Sequence, residues 1–459
     1  MLPPGKSAAA ECFRPAQNKT KIKIQECIMK RLQSLIILLA FVATGVFIGC
    51  EVNQPVEVAP ATIDAGSADF STIAAIGNSL TAGMQDGYIA GENSVNSYPA
   101  MIVRQMGKTV GEDENSDFVF PFFDPGAGSK MELTGFDAKG NPVIQFTDLL
   151  SIPRNINYPK PYNNLAVPGA LAVDVIQARD QTTSAGNNPL FNLILRNSVL
   201  TPPGTELEQA ISLNPTFIIL WIGNNDVLGA ATSGNTTPGL PTSQANFETI
   251  MTTIFGGLKQ ALPNVKGVVA NIPDVLSIPF VTTVPYKVDV PGVGEVPLVI
   301  QKGDGSIGQA TANDHILLTA SNVIGDVSGT YGPAGVPVGL DAAAPLPNAL
   351  ALDEAEIQIL SDAIDGYNEI IARLAEQNDF ALVDANSILE KFSSPEGVEI
   401  GGITYSSDYI TGGIFSLDGV HPNTLGYSIT ANAFIEAINV KYGSNIPFLN
   451  ITEFYAATN

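Results

Sequence analysis

The sequence predicts an α/β fold in which helices flank a mostly parallel β-sheet. From Phe70 onward, short β-branched runs alternate with segments of helical periodicity, which is the pattern typical of such a sheet. The clearest strand patterns lie at residues 72–76, 216–222, 265–271 and 380–383. Helical periodicity covers residues 244–262, 353–377 and 424–442. Asn423 is a suitable N-cap for the last of these helices, and Gly443 a suitable stop.

Composition excludes one large class of function. The chain has 459 residues, with 22 Lys and Arg against 45 Asp and Glu, and a net charge of −23. Nucleic-acid binding depends on basic side chains that neutralise phosphates, so DNA and RNA are not expected partners. The length would allow two or three domains, but a single elaborated α/β domain also fits it.

Metal and cofactor chemistry is not expected either. Cysteine occurs only at positions 12, 27 and 50, and histidine only at His315 and His421. A zinc site built from these residue types is therefore nearly excluded, and we predict no metal and no cofactor. His315 lies in an apolar segment and is interpreted as structural.

The start of the chain has the features of an export signal. Met29, Lys30 and Arg31 precede an apolar run at 35–49, which suits a signal peptide better than a membrane span. The run ends at Cys50 in a sequence that resembles a bacterial lipobox, which implies lipidation of Cys50. An uncleaved anchor and a buried core helix are the alternatives.

These features predict an exported lipoprotein that faces the periplasm or the cell exterior. Residues 1–28 would be a spurious upstream extension, 29–50 the signal peptide, 51–69 a flexible tether and 70–459 one domain. Cleavage before Cys50 removes seven basic and two acidic residues, which lowers the net charge to −28. So acidic a surface is repelled by anionic lipids, and the acyl chains would hold the protein at the membrane.

Two long stretches lack a strong helical or alternating pattern. They cover residues 107–160 and 274–350, and both are rich in Gly, Pro and Asp. Long connections of this kind usually carry function, so we interpret them as insertions that shape a cleft. The second contains a formal G-x-G-x-x-G at 303–308, which is weak evidence for a dinucleotide site within an insertion.

Four short blocks carry residues suited to acyl transfer. Ser79 follows the first strand pattern, where ligands bind in open α/β folds, although a serine at a helix start is often only an N-cap. Asp418 and His421 lie three residues apart on a predicted turn, so the carboxylate could orient the imidazole. Asn225 follows the second strand pattern and could donate to an oxyanion. Gly169 lies in a turn that allows close approach of its N–H.

Together these blocks resemble the GDSL or SGNH hydrolase family, from Phe70 to about Tyr442. The resemblance implies a three-layer α/β/α, flavodoxin-like fold and a serine esterase or acyl hydrolase, either deacetylase or lipase-like. It implies that Ser79 is the nucleophile, Asp418 and His421 complete the triad, and Ser79, Gly169 and Asn225 supply the oxyanion hole. The first block reads GNSL, with Asn78 where the family usually has Asp.

Two alternatives remain beside the esterase. Asn78 would favour a non-catalytic surface lipoprotein that binds a glycan or a lipid. An α/β-hydrolase lipase is disfavoured because Thr81 occupies the last position of G-x-S-x-G. The expected substrate is a small-molecule, glycan or lipid ester.

Overall fold

The computed structural model describes residues 63–455 except 138–141, 197–199, 201–202 and 237–238, and the side chain of Tyr455 is also excluded. The predicted upstream extension, the signal peptide, Cys50 and most of the tether therefore lie outside the described residues. Residues from Ile63 onward form one compact unit. In the part of the chain that is described, no helix combines the length and apolar character that a bilayer span requires.

The strands are short except for one hairpin. They are β1 Ile73–Gly77, β2 Tyr88–Ile89, β3 Val110–Gly111, β4 Phe118–Val119, β5 Ala127–Phe136, β6 Pro142–Leu150, β7 Phe217–Trp221, β8 Lys266–Ala270, β9 Lys287–Val290, β10 Gly294–Pro297, β11 Val299–Gln301, β12 Ile307–Gln309, β13 His315–Ile316, β14 Ala351–Leu352, β15 Ala381–Val383, β16 Val398–Ile400 and β17 Ile403–Tyr405.

The helices include three long ones, α8, α10 and α12. The α-helices are α1 Ser79–Ala82, α2 Gly91–Ser94, α3 Tyr98–Gln105, α4 Asp174–Gln177, α5 Leu190–Ile194, α6 Glu206–Ser212, α7 Asn225–Ser233, α8 Gln244–Ala261, α9 Pro279–Thr282, α10 Glu354–Gln377, α11 Ala385–Ser393, α12 Thr424–Tyr442 and α13 Thr452–Tyr455. The 3₁₀ turns are Gln181–Thr183, Leu318–Asn322 and Asn348–Leu350.

The central sheet has the order β1-β7-β8-β15, and each neighbouring pair is parallel. Its strands are those predicted from the sequence, with ends that differ by a few residues. The three long helices also follow the prediction, because their caps are encoded locally. Asn423 accepts a hydrogen bond from Gly426 N–H at the start of α12, and Gly443 closes that helix with a φ of 68°.

The sheet is buried on both faces, which makes the fold three-layered. Along β7, Phe217, Ile219 and Trp221 belong to one apolar core, whereas Ile218 and Leu220 belong to another. Side chains of a strand alternate between the two faces of a sheet, so the two cores lie on opposite sides of it. Helices α3 and α12 pack in the core that contains Phe217, and α8 and α10 in the core that contains Ile218. The predicted fold class is therefore confirmed.

The two predicted insertions contain strands of their own. The first, 107–160, carries the long hairpin of β5 and β6, which also pairs with β2 beside the main sheet. The second, 274–350, encloses a small separate core that includes Leu298, Ile300 and Leu346. Its G-x-G-x-x-G segment is the turn of the antiparallel hairpin of β11 and β12, and no helix follows it. The dinucleotide interpretation, which requires a strand followed by a helix, is therefore wrong.

The domain begins before the residue that the sequence predicted. Asp64 N–H donates to Asn445 Oδ1, and Ser67 N–H donates to the carbonyl of Tyr442, at the end of α12. Ile63 packs against the core on that side of the sheet. The predicted tether of 51–69 therefore needs correction over its last seven residues, which are held by contacts about 380 positions away in the chain.

Candidate active site

Ser79 is presented at the carboxyl end of β1 by a tight strand-to-helix turn. Asn78 is the N-cap of α1, because its Oδ1 accepts a hydrogen bond from Leu80 N–H at 3.2 Å. The interpretation of Ser79 as an N-cap is therefore wrong, and its hydroxyl is not used for capping. Among the described residues, the Ser79 Oγ makes no hydrogen bond.

Asn78 also donates a hydrogen bond to a second buried asparagine. Its Nδ2 donates to Asn224 Oδ1 at 3.1 Å, and both side chains are buried. A carboxylate has no donor, so this bond is specific to the amide. Asn78 therefore keeps the cap of the serine turn and also ties this turn to the residue before Asn225.

Gly169 reaches Ser79 through a segment that the sequence analysis missed. Residues 163–167 run beside the outer edge of β1, with Ala75 N–H bonded to Asn163 O at 2.7 Å and Val167 N–H bonded to Gly77 O at 3.2 Å. Ser79 and Gly169 each lie two residues beyond that last hydrogen bond. The loop that carries Gly169 thus lies against the serine turn.

Asn225 lies on the other side of Ser79, because β7 is the other neighbour of β1. It is the first residue of α7, and its Nδ2 donates to Ala170 O at 2.8 Å. A primary amide has two N–H groups, so one donor remains. Within the described chain, the backbone N–H groups of Ser79 and Gly169 also have no acceptor. Three unused donors therefore lie on adjacent loops.

Two buried aspartates that no sequence pattern predicts hold the Gly169 loop. Asp226 Oδ2 accepts from Ala172 N–H at 2.8 Å, and Asp174 Oδ2 accepts from Leu171 N–H at 2.9 Å. Burial raises the pKa of Asp226 to about 6, despite these hydrogen bonds. The loop is thus positioned by carboxylates behind it, which leaves its outer N–H groups unoccupied.

Asp418 and His421 form a hydrogen-bonded pair. Asp418 Oδ2 lies 2.8 Å from His421 Nδ1, and Asp418 Oδ1 accepts from the His421 backbone N–H at 2.8 Å. Burial by itself would raise the pKa of Asp418, but His421 and the hydrogen bonds from His421 and Val420 lower it to about 2. The carboxylate is therefore ionised at neutral pH, so Nδ1 carries the proton and Nε2 is left as the acceptor.

Two segments that are far apart in the chain meet at this pair. Gly87 N–H donates to Asp418 Oδ2 at 2.9 Å, which is a contact across 331 positions. Tyr427 Oη donates to Met84 O at 2.8 Å, and Met84 N–H donates to Ser79 O at 3.0 Å. The Asp418–His421 loop is thus anchored on the segment that directly follows the Ser79 helix.

Asp86 and Ser416 are positioning residues that the sequence analysis did not find. Asp86 Oδ1 accepts from Leu417 N–H at 2.8 Å, and Asp86 N–H donates to Ser416 Oγ at 3.0 Å. Ser416 Oγ donates in turn to Asp418 Oδ1 at 3.1 Å. Burial raises the pKa of Asp86, and the nearby Asp418 adds to that effect. A positive φ of 51° at Asp86 is the only unusual local feature, and it cannot be inferred from one sequence.

The second insertion also contacts the histidine loop. Phe280 N–H, in α9, donates to Gly419 O at 2.9 Å. Gly419 has a φ of 68°, and a Cβ there would lie 3.0 Å from Phe280 N, so glycine suits this position. The prediction that this insertion shapes a cleft remains a prediction, but its start does touch the loop that carries His421.

A protein-family model matches most of the chain. The family model described as GDSL-like lipase/acylhydrolase matches residues 73–434. The chain belongs to this family. It is therefore a hydrolase that acts on ester bonds, and the enzyme class predicted from the sequence is confirmed. No curated protein matches the chain.

The solved structures to which this GDSL-family chain is similar differ from it greatly in sequence. The extracellular lipase of Streptomyces rimosus is 14% identical, with 81% of this chain and 99% of that chain covered and a TM-score of 0.34. An acetylxylan esterase of Geobacillus stearothermophilus is 11% identical, with 81% and 96% covered and a TM-score of 0.33.

A buried glutamate beneath the serine turn gives a pH-dependent prediction. Glu206 Oε1 accepts from Gly77 N–H at 2.6 Å, while its Oε2 is buried without a partner in the described structure. Burial raises the pKa of Glu206 well above its usual value, and the neighbouring Asp174 adds to this. The folded protein thus keeps a proton that the unfolded chain loses as the pH rises, so this group favours folding at low pH and opposes it at high pH.

Glu206→Gln should therefore raise the free energy of unfolding at pH 8, because the neutral amide removes the cost of holding or burying a carboxylate there. The gain should shrink as the pH falls below about 4, where the side chain becomes protonated in the unfolded chain as well. Glu208→Gln is the matched control, because Arg179 lowers the pKa of this exposed neighbour and the variant should gain nothing at pH 8. Urea unfolding at both pH values measures the difference, and a gain independent of pH would contradict the assignment.

Proposed function

We propose that this GDSL-family hydrolase is a serine esterase that works through a covalent acyl-enzyme. The observation that carries the proposal is the grouping of unused donors around Ser79 with a histidine whose tautomer is set by an ionised carboxylate. A nucleophile, a base oriented by a third group, and an anion site are the parts that acyl transfer requires. Asn78 no longer favours a non-catalytic binding protein, because it preserves the cap of the serine turn.

In the proposed reaction, Ser79 Oγ attacks the ester carbonyl carbon while His421 Nε2 takes the hydroxyl proton. The negative charge moves to the carbonyl oxygen, which accepts hydrogen bonds from Ser79 N–H, Gly169 N–H and Asn225 Nδ2. His421 then gives its proton to the alcohol that leaves. Asp418 stabilises the imidazolium between the two transfers.

Water completes the cycle. It attacks the acyl-Ser79 carbonyl, and His421 removes its proton and returns it to Ser79 Oγ as the acid leaves. The base must be neutral at the start of both halves, because only a neutral imidazole can take a proton. No step requires a metal or a cofactor.

Asn225→Ala tests the oxyanion assignment. Loss of one preorganised donor should lower kcat by about 10²- to 10³-fold on p-nitrophenyl esters. KM should change little, because the donor binds the oxyanion more strongly than the ground-state carbonyl. Asn192→Ala, which changes an exposed asparagine in α5, is the matched control and should keep wild-type kcat. An Asn225 variant that raises KM without a loss of kcat would contradict the role.

We also propose that Cys50 carries a lipid that anchors the exported enzyme to a membrane. The apolar run before Cys50 and the mature charge of −28 support this, since an acidic surface gains nothing from anionic lipids. Metabolic labelling with a radioactive fatty acid should mark the wild type but not Cys50→Ser. Equal labelling of both would contradict the anchor.

A further inference from the structure

A partly open apolar cavity lies beside the proposed catalytic residues. It is lined in part by Leu80, which follows Ser79, and by Val420, which precedes His421. Trp221 at the end of β7 forms another wall, and helices α11 and α12 close the far side. The cavity therefore extends from the two segments that carry the nucleophile and the base into the layer of α12.

The lining suits a hydrocarbon and not a sugar. Only two of the lining side chains carry polar atoms, and both are already bonded. Trp221 Nε1 donates to Asn271 O at 2.9 Å, and Thr430 Oγ1 donates to Gly426 O at 3.0 Å. A sugar hydroxyl in this cavity would lose its hydrogen bonds to water and gain none from these side chains, which is costly. Burial of methylene groups there is favourable, because it removes apolar surface from water.

The size of the cavity limits the length of the chain that it accepts. Its volume is about 110 Å³. One water molecule needs about 10–15 Å³ of such space, so the cavity has room for a chain of several methylene groups. An acetyl group would leave it mostly empty, whereas a long fatty chain would exceed it.

We infer that this cavity is the acyl-binding pocket of the enzyme, and that it selects unbranched acyl groups of intermediate length over acetyl groups and long fatty chains. The inference rests on the proposed function, because it places the acyl carbonyl at Ser79 and the alkyl tail between Leu80 and Val420. Ala433 and Ile388, on α12 and α11, then determine how much of the tail fits.

The test compares p-nitrophenyl acetate, hexanoate and dodecanoate with purified protein. Wild-type kcat/KM for hexanoate should exceed that for acetate and for dodecanoate by at least tenfold. Ala433→Leu fills the cavity and should lower the hexanoate-to-acetate ratio at least tenfold. Ala437→Leu is the matched control, because Ala437 is also a half-buried alanine one turn further along α12 but does not line the cavity. The hexanoate-to-acetate ratio of kcat/KM for Ala437→Leu should stay within twofold of the wild-type ratio.

A second variant keeps the test decisive if Ala433→Leu does not fold. Ile388→Ala enlarges the cavity and should raise the ratio of p-nitrophenyl octanoate to hexanoate severalfold. Ester hydrolysis that depends on Ser79 but shows the same chain-length profile in the wild type and both variants would overturn the pocket and leave the esterase intact. Hydrolysis that does not depend on Ser79 would overturn both proposals.

Discussion

Ser79→Ala should lower kcat for p-nitrophenyl hexanoate by about 10⁵- to 10⁶-fold, which is the scale of loss when the nucleophile of a catalytic triad is removed. Alanine has no Oγ, so no acyl-enzyme can form. The fold should be unaffected, because Asn78 caps α1 and the Ser79 hydroxyl bonds to no other described residue. Initial rates of p-nitrophenol release measure the loss.

A second serine at the start of a helix provides the control. Ser243 is the N-cap of α8 and accepts from Asn246 N–H, so Ser243→Ala should cost about 1 kcal/mol of stability but keep wild-type kcat. A fluorophosphonate reagent should also phosphonylate Ser79 in the wild type, with fluoride as the leaving group, and fail to label Ser79→Ala. Equal hydrolysis by the wild type and Ser79→Ala would remove the proposed mechanism.

Asp418→Asn should lower kcat by about 10⁴-fold, through the tautomer of His421. An asparagine amide facing the ring would donate to Nδ1, so the ring proton would move to Nε2. That nitrogen could then no longer accept the proton of Ser79. The activity of His421→Ala should fall to a similar level, and a double variant should lose little more, because the two residues act as one unit.

The same substitution should also reduce stability in a pH-dependent way. The pKa of Asp418 is lowered to about 2 in the folded protein, so its contribution is present at neutral pH and is lost as the pH falls through that value. The shift corresponds to about 2 kcal/mol, which Asp418→Asn should lose at pH 7 and not at pH 2.

Asp353→Asn provides a control for this variant. Asp353 is likewise a buried carboxylate bonded to backbone N–H groups, at the start of α10, but it is not part of the site. The variant should retain wild-type activity. A loss of kcat in Asp353→Asn equal to that in Asp418→Asn would indicate a general loss of folding and contradict the tautomer explanation.

Local signals explain why the main elements could be predicted. Helix α12 begins after Asn423 and ends before Gly443 because the cap residues bond to groups within a few positions. The central strands are continuous apolar runs, since a parallel sheet is buried on both faces. The strand ends were shifted because main-chain pairing with a neighbour, and not side-chain type, sets the end of a strand.

The missed elements depend on distant partners. Residues 163–167 show no strand pattern, and they lie beside β1 because their backbone pairs with Ala75 and Gly77. Asp86 acts on a loop 331 positions away, so no local pattern marks it. Asn78 stands where the family usually has Asp, and no local pattern predicts its bond to Asn224, because this bond joins two blocks that are far apart in the chain.

The sequence by itself determined the fold class and the family, because periodicity, caps and short motifs are written in neighbouring residues. It also supplied each proposed catalytic residue and the resemblance that assigned their roles. Only the tertiary structure decided that Asn78 caps the turn, that Asp418 is held ionised, and that an apolar cavity adjoins Ser79. Burial, hydrogen bonding and cavity volume depend on segments that folding brings together, so they cannot be predicted from neighbouring residues in the sequence.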